Sequence, residues 1–244
     1  MAGDETFARR VSSLGTLADP VRRALYRFVS DQPGAVSRSQ AADGVDVATH
    51  TAKFHLERLV EEGLLVAEFR RLTGRTGPGA GRPAKLYRRS RREVVVSLPH
   101  RRYDLAADVL ADAVERSLDG TPMSEAIGQA ADRAAMVAVE ETAGDTADTE
   151  DELERTAAAL SPFGYEPRVE QDLVLGNCPF DRLATDHRDL VCGMNLAFVE
   201  AVTERLGCSA VRTDHDPDGA RCCVRVVPKP SGGGPTHVRN AGAT

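Results

Sequence analysis

The stretch from residue 46 to residue 89 constrains the fold more than any other part of the chain. Over 46–62, Ala52, Leu56, Leu59 and Val60 form one apolar stripe at helical spacing, and the stripe stops at Gly63, which suits the left-handed turn that ends a helix. Residues 64–70 then read as a strand, 73–83 as a loop of Gly, Pro and Arg, and 84–89 as a second strand, with 93–98 a third extended piece. Upstream, Leu14, Leu17, Val21, Leu25, Phe28 and Val29 place two helices within 5–31. Asp19-Pro20 restarts the second, because Asp caps a helix well and Pro fits its first turn, and Pro33-Gly34 ends it. A short helix over 37–42 follows, capped by Ser37 and closed by Asp43-Gly44. The order helix, helix, short helix, long helix, hairpin is that of a winged helix-turn-helix.

Charge points to a polyanionic partner. The formal net charge is -6, yet residues 64–102 alone hold eleven basic residues against two acidic ones, while the downstream part of the chain is acidic. A preference for Arg over Lys accounts for the type of base but not for its clustering. Such a basic stripe is the footprint of nucleic-acid binding, because each phosphate it neutralises releases counterions. On the 46–62 helix the face opposite the apolar stripe presents Thr49, His50, Lys53 and Phe54, with Thr51 at its margin. A helix set in a major groove reads base edges and phosphates through such residues. Lys53 suits a phosphate or a guanine, Thr49 and Thr51 a phosphate or base, and Phe54 a thymine methyl or packing. Arg75 and Arg82 stand among the glycines of the 73–83 loop, where guanidiniums have room to enter a minor groove. The expected partner is double-stranded DNA.

Three segments carry a resemblance to a known family. DPVRRALYRFV, VATHTAKFHLERLVEEGLL and GRTGPGAGRPAKLY resemble the winged-helix domain of ArsR-type bacterial regulators over about the first 100 residues. The resemblance implies a transcription regulator, read here as a repressor. It is expected to bind an inverted-repeat operator as a homodimer, since two winged helices about a two-fold axis meet two half-sites one helical turn apart.

Downstream, Ala-rich apolar stripes predict helices over 103–118 and 123–141. They suit a dimer seam and an intramolecular bundle equally well. An acidic loop over 142–152 and a helix over 153–160 follow, and 165–227 reads as a compact α+β unit with hairpins at 165–175 and 209–227 and helices at 179–187 and 189–206. All five cysteines, Cys178, Cys192, Cys208, Cys222 and Cys223, fall within this unit. No Cys-x2-Cys pair occurs, so ligands for a metal would have to converge in space. Cys178 opens a helix, where the dipole favours a thiolate. Cys192 lies at the front of the next helix. In the 221–227 strand Cys222 alternates with Val224 and Val226 whereas Cys223 turns to the side of Arg225, so Cys222 is the preferred ligand of the pair. Symmetric pairing of that hairpin puts Cys208 on the face of Cys223, which makes Cys208 structural.

The segment NCPFDRLATDHRDLVCGMN and the later RCCV resemble the C-terminal domain of SufR-like regulators, ArsR-type proteins that hold an iron-sulfur cluster. The resemblance implies Cys178, Cys192 and Cys222 as ligands and an iron-sulfur cluster as cofactor, with zinc as the alternative occupant. His187, His215, Cys223 or an exogenous group is left for a fourth position. The competing reading is a winged-helix regulator of a small organic ligand, with structural cysteines. The expected fold is mainly α with α+β parts, divided into a DNA-binding domain at 1–102, a helical linker or dimerisation region at 103–160, a cysteine-containing sensor domain at 161–228 and a flexible tail at 229–244.

Composition narrows the rest. Hydrophobic residues at 41% and charged residues at 28% exclude wholesale disorder and collagen-like repeats. No run approaches the ~18–20 apolar residues of a membrane span, and MAGDETFARR lacks a signal-type core, so the expected compartment is the cytoplasm, with no membrane partner. The chain has neither Gly-x-Ser-x-Gly nor a phosphate loop opening a helix, and it is not expected to be an enzyme.

Overall fold

The computed structural model describes residues 2–70, 83–147, 149–216 and 222–230. The chain forms two compact units that divide between Val96 and Ser97.

In the first unit, α1 (Ala2–Thr16), α2 (Pro20–Asp31), α3 (Arg38–Val45) and α4 (Thr49–Glu61) join a three-stranded antiparallel sheet. Its strands β1 (Val36–Ser37), β2 (Leu65–Arg70) and β3 (Ala84–Arg89) stand in the order β1-β3-β2, and β2 pairs with β3 from Leu65↔Arg89 to Arg70↔Ala84. Local chemistry sets most of these boundaries. Asp19 Oδ1 accepts from the Arg22 amide at 2.9 Å with Pro20 in the first turn of α2, and Ser37 and Gln40 form a reciprocal capping box at the start of α3. Gly63, at φ 73, ends α4 as expected.

Two boundaries differ from the sequence reading. Helix α3 runs past Asp43-Gly44, because it is Asp46, at φ 56, that adopts the left-handed stop. Gly44 has another role: a Cβ there would lie 2.0 Å from a ring carbon of Phe28, so the glycine lets α3 pack closely on α2. With Asp46 used as a stop and Ala48 extended, α4 starts at Thr49 rather than at 46. Residues 93–98 form no strand, although Val94 packs on the core. That core gathers Leu25, Val29, Ala52, Leu56, Leu59, Leu65 and Tyr87.

The second unit is α+β. Helices α5 (Tyr103–Leu118), α6 (Met123–Thr146) and α7 (Glu152–Leu160) precede a four-stranded antiparallel sheet of β4 (Pro167–Val169), β5 (Leu173–Leu175), β6 (Val211–His215) and β7 (Val224–Pro228), in the order β4-β5-β7-β6. Helices α8 (Asp181–Asp186) and α9 (Arg188–Arg205) lie between β5 and β6 in the chain. Helix α6 packs against both α5 and α9 along buried Ala126, Ala130, Ala131, Ala135 and Ala138, small side chains that let helices approach closely. It continues through part of the segment expected as an acidic loop. Thr142 and Thr146 are buried there and donate their hydroxyls back to the carbonyls of Ala138 and Thr142, which satisfies both groups inside a helix.

One apolar core extends from Leu105 to Val226, so the 103–160 helices and the cysteine-bearing segment bury a common interior. The alanine stripe is thereby buried within the unit. No helix among the described residues is long and apolar enough to cross a membrane.

Leu56 is fully buried in the α4 stripe. Replacing it with Ala is expected to destabilise the first unit by about 2–5 kcal/mol. Denaturant unfolding of the full chain measures this, and a loss under about 1 kcal/mol would show that α4 is not held by its apolar face.

Candidate functional site

Four of the five thiols meet in the second unit. Cys178 lies in the loop between β5 and α8, Cys192 near the start of α9, and Cys222 and Cys223 just before β7. Cys192, Cys222 and Cys223 are buried and Cys178 is half-buried. The Cys222 thiol hydrogen-bonds with both Cys178 and Cys223, and Cys223 in turn contacts Cys192 and the imidazole of His215. The ligand atoms of Cys192, Cys223 and His215 all lie within 4.8 Å of one another.

Of Cys178, Cys192 and Cys222, the three residues singled out from sequence, Cys192 is linked to the other two through Cys223, and the group whose donor atoms all lie close together is Cys192, Cys223 and His215. The expectation that Cys223 turns away fails for a local reason. Strand β7 begins at Val224, so Cys222 and Cys223 occupy irregular backbone to which strand alternation does not apply. The register His215↔Val224 and the bond from the Asp216 amide to the Cys223 carbonyl at 2.7 Å bring His215 beside the pair. Cys208 stands apart, with its sulfur 3.7 Å from the Thr156 hydroxyl and 3.8 Å from the Glu152 carbonyl.

Neighbouring sulfurs and burial set the electrostatics of the array. Hydrogen bonds to Cys178 and Cys223, and then burial, hold the Cys222 thiol far above its ordinary range. The same bond from Cys222 favours the thiolate at Cys178 and, with Cys192 and His215 adding to it, lowers Cys223 to about 5. Burial pushes Cys192 up to about 12. A buried side-chain line supports the array from behind: the Tyr165 hydroxyl donates to Asn195 Oδ1 at 2.7 Å, and Asn195 Nδ2 donates to Cys222 Sγ at 3.1 Å. Soft sulfur donors, an imidazole and an N–H directed at a sulfur fit a thiolate-ligated metal centre.

The loop carrying Cys178 is also tied to residues 100–102. Arg101 Nη1 donates to Asn177 Oδ1 and to the Cys178 carbonyl, each at 2.6 Å. Asn177 Nδ2 donates to the His100 carbonyl at 2.9 Å, and the Arg102 amide to the Pro179 carbonyl at 3.1 Å.

In the first unit, the outer face of α4 exposes Thr49, His50, Lys53 and Phe54, with Thr51 half-buried. Phe54 keeps 68% of its surface open, unusual for so large an apolar side chain. Arg75 and Arg82 lie outside the described residues. Residues 17–67, spanning α2 to the start of β2, match a family model described as a helix-turn-helix domain. The chain carries a helix-turn-helix domain. That supports double-stranded DNA as its ligand and a regulator as its role. No curated protein and no solved structure matches the chain.

Within the helix-turn-helix domain, Glu57 is the residue that sequence reading missed. Its carboxylate accepts from Lys85 Nζ and, at 2.8 Å, from the Tyr87 hydroxyl, tying α4 to β3. The only sequence signal was an acid on a face otherwise suited to DNA. Partial burial opposes its charge, but the hydrogen bonds from Lys85 and Tyr87 outweigh that and bring its pKa below the ordinary 4.5. A lowered carboxyl pKa means stability that is fully present above the unfolded value and lost as pH falls through the folded one. Glu57→Gln is therefore expected to be less stable than wild type at neutral pH, with the gap closing on acidification below about 4.5. Thermal unfolding of both proteins between pH 7 and 3 checks this, and a gap that does not depend on pH would contradict it.

Proposed function

We propose that the protein is a transcriptional repressor whose operator affinity is set by an iron-sulfur cluster or single metal ion held by cysteines of the second unit. The observation that carries this reading is the continuous array Cys178, Cys222, Cys223 and Cys192, closed at one end by His215. Adjacent buried thiolates repel one another, and a cation or cluster relieves that repulsion. Cys178, Cys192 and Cys222 are the ligands that the likeness to SufR-like regulators implies, and Cys223 is a further donor within reach. The repressor acts as a homodimer on an inverted repeat whose half-sites lie about 34 Å apart.

The ties between residues 100–102 and the Cys178 loop support a route for the signal. The chain leaves the first unit at Val96, and a few residues later Arg101 holds the backbone of the Cys178 loop. Loss of the metal would change the cysteine array beside that loop and, through 97–102, alter the presentation of the helix-turn-helix domain.

Anaerobically purified protein is expected to contain iron with sulfide, or zinc, and to lose it on exposure to oxygen with a change in operator affinity. Cys208→Ser is expected to keep the metal. Colourless, metal-free protein under nitrogen would refute the metal reading and favour an organic effector. Arg101→Ala is expected to keep the metal while blunting the affinity change that follows its loss, and a full response in that variant would rule out this route. On the DNA side, Lys53→Ala is expected to weaken operator binding by about 1–3 kcal/mol if Lys53 reads a base edge. Equal operator affinity in titrations at fixed salt would remove Lys53 from the interface.

A further inference from the structure

We infer that the centre is a mixed thiolate and imidazole site, in which Cys192, Cys223 and His215 hold a single divalent ion. This rests on the metal reading above and narrows it to a ligand set and a class of occupant. The three donor atoms lie within 4.8 Å of one another. Donors of one tetrahedral ion, at about 2.3 Å for sulfur and 2.0–2.1 Å for nitrogen, stand roughly 3.5–3.8 Å apart, so a small inward shift of each side chain completes the site. Ligands bound to separate irons of a cluster stand farther apart than donors sharing one metal.

The backbone holds these donors in place. Cys192 is carried by α9, an 18-residue helix packed on α6. His215 is the last residue of β6, paired with Val224, and the bond from the Asp216 amide to the Cys223 carbonyl closes the end of the hairpin beside them. An ion bound here fastens α9 to the β6–β7 hairpin. His215 is exposed whereas both cysteines are buried, so the imidazole faces the side from which an ion enters. Two thiolates and one imidazole favour a borderline-soft ion such as zinc or ferrous iron over calcium or magnesium. Three protein ligands leave one tetrahedral position for an exogenous donor. In this arrangement Cys178 lies outside the ligand set.

The test is titration of the reduced full-length protein with cobalt(II) under nitrogen, followed by the thiolate-to-cobalt charge-transfer band and the visible bands of tetrahedral cobalt. One cobalt per chain is expected. Cys192→Ser, Cys223→Ser and His215→Ala should each weaken binding by about tenfold or more, since outer-shell changes alone typically cost that much. Cys178→Ser should bind like wild type. His215→Cys should restore binding with a stronger charge-transfer band, because it adds a thiolate, and this recovery separates ligand loss from misfolding. Full binding by His215→Ala, or loss in Cys178→Ser with His215→Ala intact, would overturn the ligand set while leaving a metal centre in place. Failure of wild type to take up cobalt, together with metal-free protein from anaerobic purification, would overturn both.

Discussion

Four sulfur atoms linked in a row at the edge of an apolar core pose a charge problem for this part of the second unit. Thiolates in a medium of low polarity repel strongly, and the contacts of Cys222 with Cys178 and Cys223 raise its pKa and so favour its neutral form beside them. The surroundings match that arrangement. Asn195 directs an N–H at Cys222 and is itself fixed by the Tyr165 hydroxyl, whose ring stacks on Phe198 with an interplanar angle of 10°. Position along this line runs from the aromatic core to the sulfur, so the array inherits the rigidity of the packed interior.

What was legible in the sequence was local. Asp19-Pro20, Ser37 with Gln40, and Gly63 set helix ends through bonds made within a few residues, and each stands where its chemistry places it. The outer face of α4 was legible for the same reason, since the 3.6-residue period that buries Leu56 and Leu59 also exposes Lys53 and Phe54. The cysteines were legible as a cluster but not in their arrangement. That depends on β7 starting at Val224 and on the register of His215 with it, both set by tertiary pairing. The same limit hid the common core, because alanines at helical spacing do not tell which helix will cover them.

The two units also differ in the surfaces they offer. The helix-turn-helix domain presents exposed, charged and apolar groups on a helix that Glu57 braces against β3, which suits a surface preformed for a large anionic ligand. The cysteine array is mostly enclosed, and small changes of position or charge there displace packed neighbours. Such a division places tight geometric tolerance at the array and electrostatic reach at the DNA face.

The bond from Arg101 ends on the carbonyl of Cys178, not on its sulfur. Side-chain chemistry and mechanical linkage therefore share one residue but use different atoms. Evolution can exchange the thiol for another group while the strap persists, or remove the strap while the thiol persists. The thiol and the strap at this position are thus open to independent mutation, and related chains could retain either one without the other.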